Sequence, residues 1–215
     1  MYRQTSTNMH SAAFRLKLSG LLYRGIVKNA LDSILALIAL IFLSPLLILI
    51  AIRIKQDSSG PILMKQTCEG LKGHPFKMYK FRTHELVATG AAHNPNYSWS
   101  ETYIGTILID ANLENLPQLF NVFIGDMSLV GPRPNPVNMT INKVDVKQVV
   151  PIYEARNLVK PGMTGWAQIN GLRGPLRTFG DAAQRVSFDI DYLKNASIRF
   201  DWHIIFKTLR LIKVA

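Results

Sequence analysis

Arg133 lies in a short motif that could present its side chain to a phosphate group. It stands between two prolines in Gly131-Pro132-Arg133-Pro134. Each proline fixes its own backbone φ angle, so the arginine is held with little further loss of entropy when an anion binds. A guanidinium group offers a fork of N–H donors that matches the oxygens of phosphate or carboxylate. Taken alone, the motif is equally consistent with a structural salt bridge.

Two further stretches carry donors of the same kind. In Lys80-Phe81-Arg82, an extended strand would direct both cations to one face and the aromatic ring to the other. Surface charge is the usual explanation of such a triplet. The segment from Lys160 to Gln168 is rich in turn residues and offers backbone N–H groups, the Thr164 hydroxyl and the Gln168 amide. None of the three stretches specifies a function by itself.

The composition favours a polyanionic partner and limits the metal chemistry. The chain has 215 residues with 25 Lys and Arg against 14 Asp and Glu, which gives a net charge of +11. An excess of this size suits nucleic acid, an anionic membrane surface or a phosphorylated substrate. No nucleic-acid motif accompanies the charge, so nucleic acid is not an expected partner. The single cysteine, Cys68, excludes an intrachain disulfide and a cysteine-based zinc site, so any metal should have oxygen ligands.

An uncharged apolar stretch from Ile34 to Ile52 predicts a membrane segment. Its nineteen residues would form a helix about as long as the hydrocarbon core of a bilayer is thick. A helix buried in a large soluble core is the alternative. Pro45 cannot donate a hydrogen bond to the carbonyl of Ile41, so we expect the helix to bend there, with Ser44 partly satisfying that carbonyl.

The charges around this segment predict that both of its ends face the cytoplasm. Basic residues flank the apolar stretch on both sides, and basic flanks prefer the cytoplasmic side of a membrane. The cations before it are Arg15, Lys17, Arg24 and Lys28, and those after it are Arg53, Lys55, Lys65 and Lys72. A helix broken at Ser44-Pro45 that enters and leaves by the same face satisfies both flanks. A re-entrant helix is therefore favoured over a straight span.

The remaining pattern predicts an α+β domain that is mostly helical with short strands. We divide the chain into a basic N-terminal segment at 1–29, a re-entrant membrane helix at 30–56, a cytosolic domain at 57–199 and an amphipathic C-terminal helix at 200–215. The last carries a basic stripe, which suits either a helix lying in the membrane interface or one packed on the domain. Within the domain, we expect strands at 61–64 and 75–81, a mobile loop at 86–100, and helices at 113–124 and 179–195.

Taken in order, these residues resemble the bacterial sugar transferase family, the small monotopic phosphoglycosyl transferases that begin polysaccharide or glycan assembly. The resemblance extends from Lys28 to the C-terminus and rests on several blocks that follow the family's order. The blocks are Lys28…Asp32…Ser44-Pro45…Gly60-Pro61…Gln66…Gly70…Gly73…Phe76…Lys80-Phe81-Arg82, then Leu116-Pro117-Gln118…Asn121…Gly125-Asp126-Met127-Ser128…Gly131-Pro132-Arg133-Pro134, then Lys160-Pro161-Gly162…Thr164-Gly165-Trp166…Gln168, and finally Asp189…Tyr192…Ser197…Asp201.

The resemblance implies an enzyme of the bacterial inner membrane with its soluble domain on the cytoplasmic face. The expected reaction moves a sugar 1-phosphate from a UDP-sugar to a polyprenyl phosphate, with Mg²⁺, and releases UMP. It would be the first membrane step of exopolysaccharide, capsule or glycan synthesis. A carboxylate of the family attacks the sugar-bearing phosphorus and forms a covalent intermediate. The other implied partners are membrane lipid and either a second copy in a homodimer or other proteins of polysaccharide assembly.

The family motif also assigns the site residues. Glu114 takes the place of the nucleophilic aspartate in the family sequence Ser-Leu-Asp-Glu-Leu-Pro-Gln, and Asn115 takes that of the glutamate after it. The resemblance therefore makes Glu114 and Asn115 the catalytic pair, with Glu114 also the metal ligand. The residues that it assigns to substrate binding are Lys80, Arg82, Gln118, Arg133, Arg156, Thr164 and Gln168.

This chain departs from the family at several charged positions, which leaves two functional interpretations open. Cys68 stands where the family has an arginine, Ser98-Trp99-Ser100 matches an Asp-Pro-Arg block, and Ile109 replaces another arginine. The first interpretation is an active transferase with Glu114 as nucleophile, which is favoured because the phosphate-binding motifs persist. The second is a catalytically silent homologue that keeps the fold and binds the lipid or a partner transferase.

Overall fold

The computed structural model describes residues 23–89 and 96–211, and its longest element is the apolar helix expected from the sequence. Helix α1 comprises Lys28–Asp57 and follows a turn of π-helix at Tyr23–Val27. Pro45 lies inside α1, which is helical on both sides of it. The Ser44 hydroxyl donates to the carbonyl of Ile41 at 2.8 Å, so the group that Pro45 cannot pair is satisfied as predicted. The bend at this point stays a prediction.

Helix α1 packs one face on the domain and leaves the other exposed. The packed face enters two apolar clusters of the domain and consists of Ala36, Leu40, Ile50 and Ile54. On the other face, Phe42 is 85% exposed. In the described part of the chain, Gly25–Asp57 is the one helical stretch long and apolar enough to cross a membrane. Only 17% of its most apolar stretch of 18 residues is buried, which disfavours the alternative that it is a helix of a soluble core.

The start of α1 is joined to the domain by a buried polar cluster that we call the α1 anchor, formed by Lys28, Asp32, Ser128, Tyr192 and Asp201. Lys28 Nζ lies 2.5 Å from Asp201 Oδ2 and 3.3 Å from Asp32 Oδ2. The Ser128 hydroxyl donates to Asp32 at 2.5 Å, and the Tyr192 hydroxyl donates to Asp201 at 2.8 Å. All five residues are at most 7% exposed, so the anchor pairs its charges away from water.

The end of α1 is held by Arg82. Its guanidinium donates to the carbonyl oxygens of Ser58 at 2.7 Å and Ile54 at 3.2 Å, and to that of Ser59. Carbonyl groups at a helix C-terminus lack partners within the helix, so a buried arginine suits them well. Both ends of the apolar helix therefore meet the same domain.

The first two strands form an antiparallel pair. β1 (Leu63–Glu69) and β2 (Pro75–Phe81) are joined by a turn of 3₁₀-helix at Leu71–Gly73. The bounds predicted for the second strand are confirmed, whereas the first strand begins and ends later than the predicted 61–64. The alternation of Phe76, Met78 and Lys80 specifies the second strand, and pairing with it sets the length of the first.

The prediction of a mobile loop at 86–100 is wrong for the residues that the structure describes. β3 (His84–Thr89) and β4 (Asn96–Glu101) pair antiparallel as a hairpin, with Leu86 opposite Trp99. Residues 90–95, between the two strands, lie outside the described residues. The local content of Ala, Gly, Asn and Ser suggests a loop, but backbone groups make a β-ladder and require little of the side chains.

The helix predicted at 113–124 consists of two elements. After α2 (Tyr103–Asp110), a turn of 3₁₀-helix covers Leu113–Asn115, and α3 covers Gln118–Ile124. Pro117 between them has no backbone N–H to donate, which accounts for the interruption. The turn therefore carries the two residues assigned as catalytic, and α3 begins with Gln118.

The rest of the domain consists of short elements followed by two longer helices. The short ones are β5 (Ser128–Val130), β6 (Thr140–Ile141), β7 (Val144–Asp145), α4 (Val146–Val149), a 3₁₀ segment at Tyr153–Leu158, β8 (Gly162–Thr164) and α5 (Trp166–Ile169). β5 pairs in parallel with β8, and β6 pairs antiparallel with β7. α6 (Phe179–Asn195) has the bounds predicted for it, and α7 (Ile198–Leu211) follows. The described chain is mostly helical with short strands, as predicted.

The C-terminal helix α7 packs on the domain and also keeps apolar side chains exposed. Asp201 and Ile204 are buried, whereas Trp202, Phe206 and Leu209 are 43%, 59% and 58% exposed. Packing on the domain is thus confirmed for one face, and contact of the other face with a membrane interface stays a prediction. Residues 212–215 of the C-terminal helix predicted at 200–215, and residues 1–22 of the predicted basic N-terminal segment, lie outside the described residues.

Candidate active site

The two carboxylate oxygens of Glu114 differ in their hydrogen bonding. Its Oε1 accepts a hydrogen bond from Nδ2 of Asn115, whose Oδ1 accepts in turn from Nε2 of Gln118 at 2.7 Å. Its Oε2 is buried and has no hydrogen-bond partner in the part of the chain that the structure describes. The two residues assigned as catalytic are therefore in direct contact, with Gln118 behind them.

Burial and neighbouring charges shift the pKa values of Glu114 and Lys80. Burial raises the pKa of the Glu114 carboxyl above its ordinary value, while the Asn115 hydrogen bond and the positive charges of Lys80 and Arg133 act in the opposite direction. Burial likewise lowers the pKa of Lys80, and the charge of Glu114 opposes that effect. Glu114, Lys80 and Arg133 thus share a partly buried site. The two cations favour the ionised form of the Glu114 carboxyl, and its negative charge favours the protonated forms of Lys80 and Arg133.

A cavity of about 300 Å³ is lined by these neighbours of Glu114 and contains four cations. Lys80 comes from β2, Arg133 from the segment after β5, Arg173 from the loop after α5, and Arg185 from α6. Among the described residues, none of the four forms an ion pair with a carboxylate. The polar lining is completed by amide side chains, those of Gln66, Gln118 and Asn135.

Arg133 is positioned by a second arginine that is itself paired. Arg156 donates to the backbone carbonyl of Arg133 and forms an ion pair with Asp189 at 3.1 Å. Both of these side chains are 2% exposed. The Arg156 guanidinium also lies 5.4 Å from the ring centroid of Tyr153. Arg156, which the resemblance assigns to substrate binding, is thus placed behind Arg133 rather than in the cavity lining.

Three other residues assigned to substrate binding also lie outside the lining. Arg82 holds the end of α1, and the Thr164 hydroxyl makes a hydrogen bond with that of Thr208 on α7 at 2.6 Å. Gln168 is 4% exposed, and its amide oxygen and nitrogen have no hydrogen-bond partner within residues 23–89 and 96–211. The assigned residues that the structure brings together around the cavity are Lys80, Gln118 and Arg133.

Arg173 and Arg185 are cavity residues that the sequence motifs do not single out. Arg173 Nε donates to the carbonyl of Gln168 at 3.2 Å, and Arg185 donates to the carbonyl of Gly174 at 2.5 Å. Burial, followed by the charges of nearby arginines, lowers the pKa of Arg185 to about 10. The sequence gives little indication of a role for either residue, since Arg173 lies in a glycine-containing loop and Arg185 in an ordinary amphipathic helix.

Cys68, where the family has an arginine, is part of the apolar core. It lies on β1, is fully buried, and belongs to the same cluster as Met78 and Met127. Burial raises the pKa of its thiol to about 11. A neutral thiol therefore replaces a cation at this position, and the charge of the cavity comes from other residues.

Glu114 fits a magnesium ion as a single protein ligand. The described residues contain no group of three or more His, Cys, Asp or Glu side chains that could hold a metal. Magnesium is commonly bound by one or two carboxylates together with substrate phosphates and water. The Glu114 carboxylate, whose buried Oε2 is unpaired among the described residues, suits that role when phosphate oxygens of a ligand complete the coordination.

Comparison with known proteins shows the family. The model of the family described as bacterial sugar transferase matches residues 23–214. This chain therefore belongs to the bacterial sugar transferase family, as the sequence motifs predict.

Curated relatives cover most of this chain. The exopolysaccharide production protein PSS of Rhizobium leguminosarum bv. phaseoli is 41% identical over 187 residues, which are 86% of this chain and 94% of that protein. The UDP-glucose:undecaprenyl-phosphate glucose-1-phosphate transferase of Escherichia coli (strain K12) is 40% identical over 189 residues, which are 86% of this chain and 39% of that protein.

A relative named for a different sugar is also similar. The UDP-N-acetylgalactosamine-undecaprenyl-phosphate N-acetylgalactosaminephosphotransferase of Aeromonas hydrophila is 35% identical over 188 residues, which are 86% of this chain and 43% of that protein. This chain therefore spans about two fifths of the length of the Escherichia and Aeromonas relatives.

Proposed function

We propose that this chain transfers a sugar 1-phosphate from a UDP-sugar to a polyprenyl phosphate and releases UMP. The observation that carries the proposal is Glu114, a carboxylate with one buried, unpaired oxygen, next to residues of a cavity whose four cations have no carboxylate partner among the described residues. Cations kept without partners in a partly buried site favour binding of an anion, and a diphosphate supplies two phosphate groups. The names of the Escherichia and Aeromonas relatives describe the same type of transfer.

The transfer takes place in two displacements at the sugar-bearing phosphorus. In the first, ionised Glu114 forms an O–P bond, and the bond from this phosphorus to the oxygen of the uridine phosphate breaks, so UMP leaves with the electron pair. In the second, an oxygen of polyprenyl phosphate forms a bond to the same phosphorus. The bond between Glu114 and phosphorus then breaks with its electron pair, which restores the carboxylate.

The cations of the cavity hold the diphosphate during both displacements. Lys80 and Arg133, whose charges act on Glu114, offset the negative charge of the phosphates as the oxygen approaches. Arg173 and Arg185 provide further donors in the same lining. Arg156 acts through the backbone of Arg133 and has no contact with substrate in this mechanism.

Mg²⁺ is the cofactor that we propose, held by Glu114 together with phosphate oxygens of the UDP-sugar. When bound, it supplies positive charge that offsets the charge of the phosphates. Because Asn115 contributes no charge where the family has a glutamate, we expect weak binding of Mg²⁺ alone and tighter binding in the presence of a UDP-sugar. Calorimetric titration with and without UDP-glucose measures both affinities, and equal affinities would count against this arrangement.

We also propose that the protein is monotopic, with α1 leaving the inner membrane by the cytoplasmic face through which it enters. Support comes from the two ends of α1, since the α1 anchor and Arg82 join both of them to the same domain. Single cysteines introduced before residue 28 and after residue 55 should both be protected from membrane-impermeant thiol reagents in intact cells. Labelling at only one of the two positions would contradict the re-entrant arrangement.

Release of UMP by the purified protein tests the reaction. With UDP-glucose or UDP-N-acetylgalactosamine as donor, we expect continued release of UMP only when polyprenyl phosphate and Mg²⁺ are both present; without the lipid acceptor, release should stop at about one UMP per protein molecule. Glu114→Gln keeps the shape of the side chain but removes the nucleophile, so it should abolish release. Glu154→Gln, a change at an exposed glutamate, is the matched control and should retain it. Turnover by Glu114→Gln at the wild-type rate would overturn the assignment.

A catalytically silent homologue is the second candidate, and one observation favours it. Asn115 brings an amide where the family has a carboxylate, and it occupies one oxygen of Glu114. Such a protein would keep the membrane helix and bind polyprenyl phosphate or a partner transferase without turnover. It predicts no UMP from any UDP-sugar, together with retained binding of polyprenyl phosphate that Arg133→Met weakens.

A further inference from the structure

We infer that Arg173 and Arg185, which we call the arginine pair, form one subsite for phosphate monoesters that is used twice in each cycle. It binds the phosphate of UMP in the first displacement and the phosphate of the polyprenyl acceptor in the second. The inference rests on the proposed function, because it concerns the order in which ligands occupy the cavity of that reaction.

Each guanidinium group of the arginine pair is positioned by a hydrogen bond to the backbone. Arg173 Nε donates to the carbonyl of Gln168 at 3.2 Å, and Arg185 Nη2 donates to the carbonyl of Gly174 at 2.5 Å. Both side chains line the cavity, and Arg185 is only 3% exposed. Because a guanidinium group has several N–H donors, each arginine keeps donors for a ligand beyond the one that the backbone occupies.

The carboxylates one helical turn away from Arg185 on α6 are engaged elsewhere. Asp189 Oδ2 forms the ion pair with Arg156 at 3.1 Å, and Asp181 Oδ2 accepts from the backbone N–H of Thr178 at 3.0 Å in the capping box of α6. The two positive charges of the arginine pair therefore suit an anion that carries close to two negative charges. A phosphate monoester has that charge near neutral pH, and its oxygens match guanidinium donors. UMP and polyprenyl phosphate are both phosphate monoesters.

The arginine pair and Glu114 are carried by different parts of the domain. The turn that carries Glu114 packs against α2 and against β2, the strand of Lys80. The helix that carries Arg185, α6, packs instead against α4, α5 and the 3₁₀ segment at Tyr153–Leu158. The apolar lining of the cavity divides in the same way. Met78 of β2 packs in a cluster with residues of α1, whereas Leu176 packs in a cluster with residues of α4 and α6. The arginine pair therefore lies on the side of the cavity away from the turn of Glu114.

The geometry of displacement at phosphorus requires the two monoesters to occupy the same place. The attacking and leaving oxygens lie roughly in line, on opposite sides of the phosphorus. In the first displacement, the oxygen of UMP leaves from the side opposite Glu114. In the second, the oxygen of the lipid phosphate enters from the side opposite the same Glu114 bond. Both monoesters therefore use the side where the arginine pair lies, and UMP has to leave before the acceptor binds.

Binding of UMP and of a short-chain polyprenyl phosphate to the purified protein in detergent tests the shared subsite without turnover. Calorimetry should show that saturation with the polyprenyl phosphate prevents UMP from binding. Arg173→Met and Arg185→Met should each weaken the binding of both ligands about tenfold or more, because donors to the phosphate are lost. Arg177→Met changes an exposed arginine of the same loop and should leave both affinities unchanged. Melting temperatures show that each variant is folded, and Arg173→Met alone carries the test if Arg185→Met is not.

The results that overturn the shared subsite differ from those that overturn the proposed function. Simultaneous binding of UMP and polyprenyl phosphate overturns the subsite, as does loss of affinity for only one of them in the arginine variants. Wild-type affinities in folded variants, or no binding of UMP by the wild type, have the same consequence. Competition between the two ligands without any release of UMP from a UDP-sugar overturns the transferase proposal alone. Release of UMP without such competition overturns the shared subsite alone.

Discussion

Two groups of charged side chains in this protein, one buried and one partly buried, are organised in opposite ways. In the α1 anchor, Lys28 lies between the carboxylates of Asp32 and Asp201, and hydroxyl groups satisfy these carboxylates further. In the cavity beside Glu114, four cations have no ion-pair partner among the described residues, although Arg156 directly behind them is paired. Within the described residues, the protein therefore pairs the charges of a buried cluster and leaves those of a partly buried cavity without ion-pair partners.

The difference shows what each region does. Paired buried ions join elements that are far apart in sequence, and removal of one partner leaves the other charge buried alone. Unpaired cations lower the stability of the free protein, and binding of an anion reverses that effect. The anchor therefore fixes the membrane helix to the domain, whereas the cavity is kept ready for a phosphate-containing ligand.

Removal of the cation of the anchor should have the largest effect on stability. Lys28→Met removes the cation that lies between two buried carboxylates, which we expect to lower the free energy of unfolding by about 3–5 kcal/mol. Lys194→Met removes a lysine from an exposed pair with Asp191 and should change it by less than about 1 kcal/mol. Unfolding in detergent measures both. Equal effects of the two variants would contradict a structural role for the anchor.

Removal of a cavity cation should lower activity strongly and leave stability unchanged or higher. Arg133→Met should lower kcat/KM by roughly 100-fold or more, because a donor to the reacting phosphates is lost. Its stability should be unchanged or higher, since a partly buried charge without an ion-pair partner among the described residues is also lost. Arg82→Met, a matched arginine outside the cavity, should destabilise the end of α1 by about 1–3 kcal/mol and reduce kcat/KM much less. A destabilised Arg133→Met with full activity would reverse the roles assigned to the two arginines.

Exchange of the catalytic pair tests the coupling within the cavity. Asn115→Glu alone should lower activity about tenfold, because it removes a donor to Glu114 and adds a like charge. The double variant Glu114→Asp with Asn115→Glu restores the family sequence, so it should recover at least the wild-type rate of UMP release. Strictly additive effects of the two single changes would show that the positions are not coupled.

The smallest effect that we expect is a pH-dependent difference in thermal stability. The pKa of Glu114 is raised in the folded state, so the unfolded state loses its proton first, and the protein loses stability as pH rises through the interval between the two values. Glu114→Gln has no such loss. Its melting temperature relative to wild type should be higher at neutral pH than at pH below the ordinary glutamate range. A difference of the opposite sign would show that the folded site favours the ionised carboxylate.

Elements specified by local pattern could be predicted from the sequence. The amphipathic pattern and capping residues of α6 give its bounds, and the hydroxyl of Ser44 satisfies the carbonyl that Pro45 leaves free. The β3–β4 hairpin was not predictable in the same way, because cross-strand backbone pairing is independent of the polar composition of its strands. Local sequence therefore identifies helices better than it identifies this hairpin.

The candidate site could be predicted only in part. Arg133 stands out because two prolines flank it, and Glu114 because of the motif around it. Arg173 and Arg185 reach the same cavity through tertiary packing, which no local pattern records. For the same reason, the sequence does not distinguish Arg82, which holds α1, from Lys80 two residues earlier, which lines the cavity.

Identification of the atom that carries the phosphosugar tests the central claim most directly. The purified protein should be incubated with UDP-glucose or UDP-N-acetylgalactosamine and Mg²⁺ without a lipid acceptor, then examined by intact-protein and peptide mass spectrometry. We expect a sugar phosphate adduct on the peptide that contains Glu114, lost on addition of polyprenyl phosphate and absent from Glu114→Gln. An adduct on another residue, or turnover by the wild type without any adduct, would contradict the account.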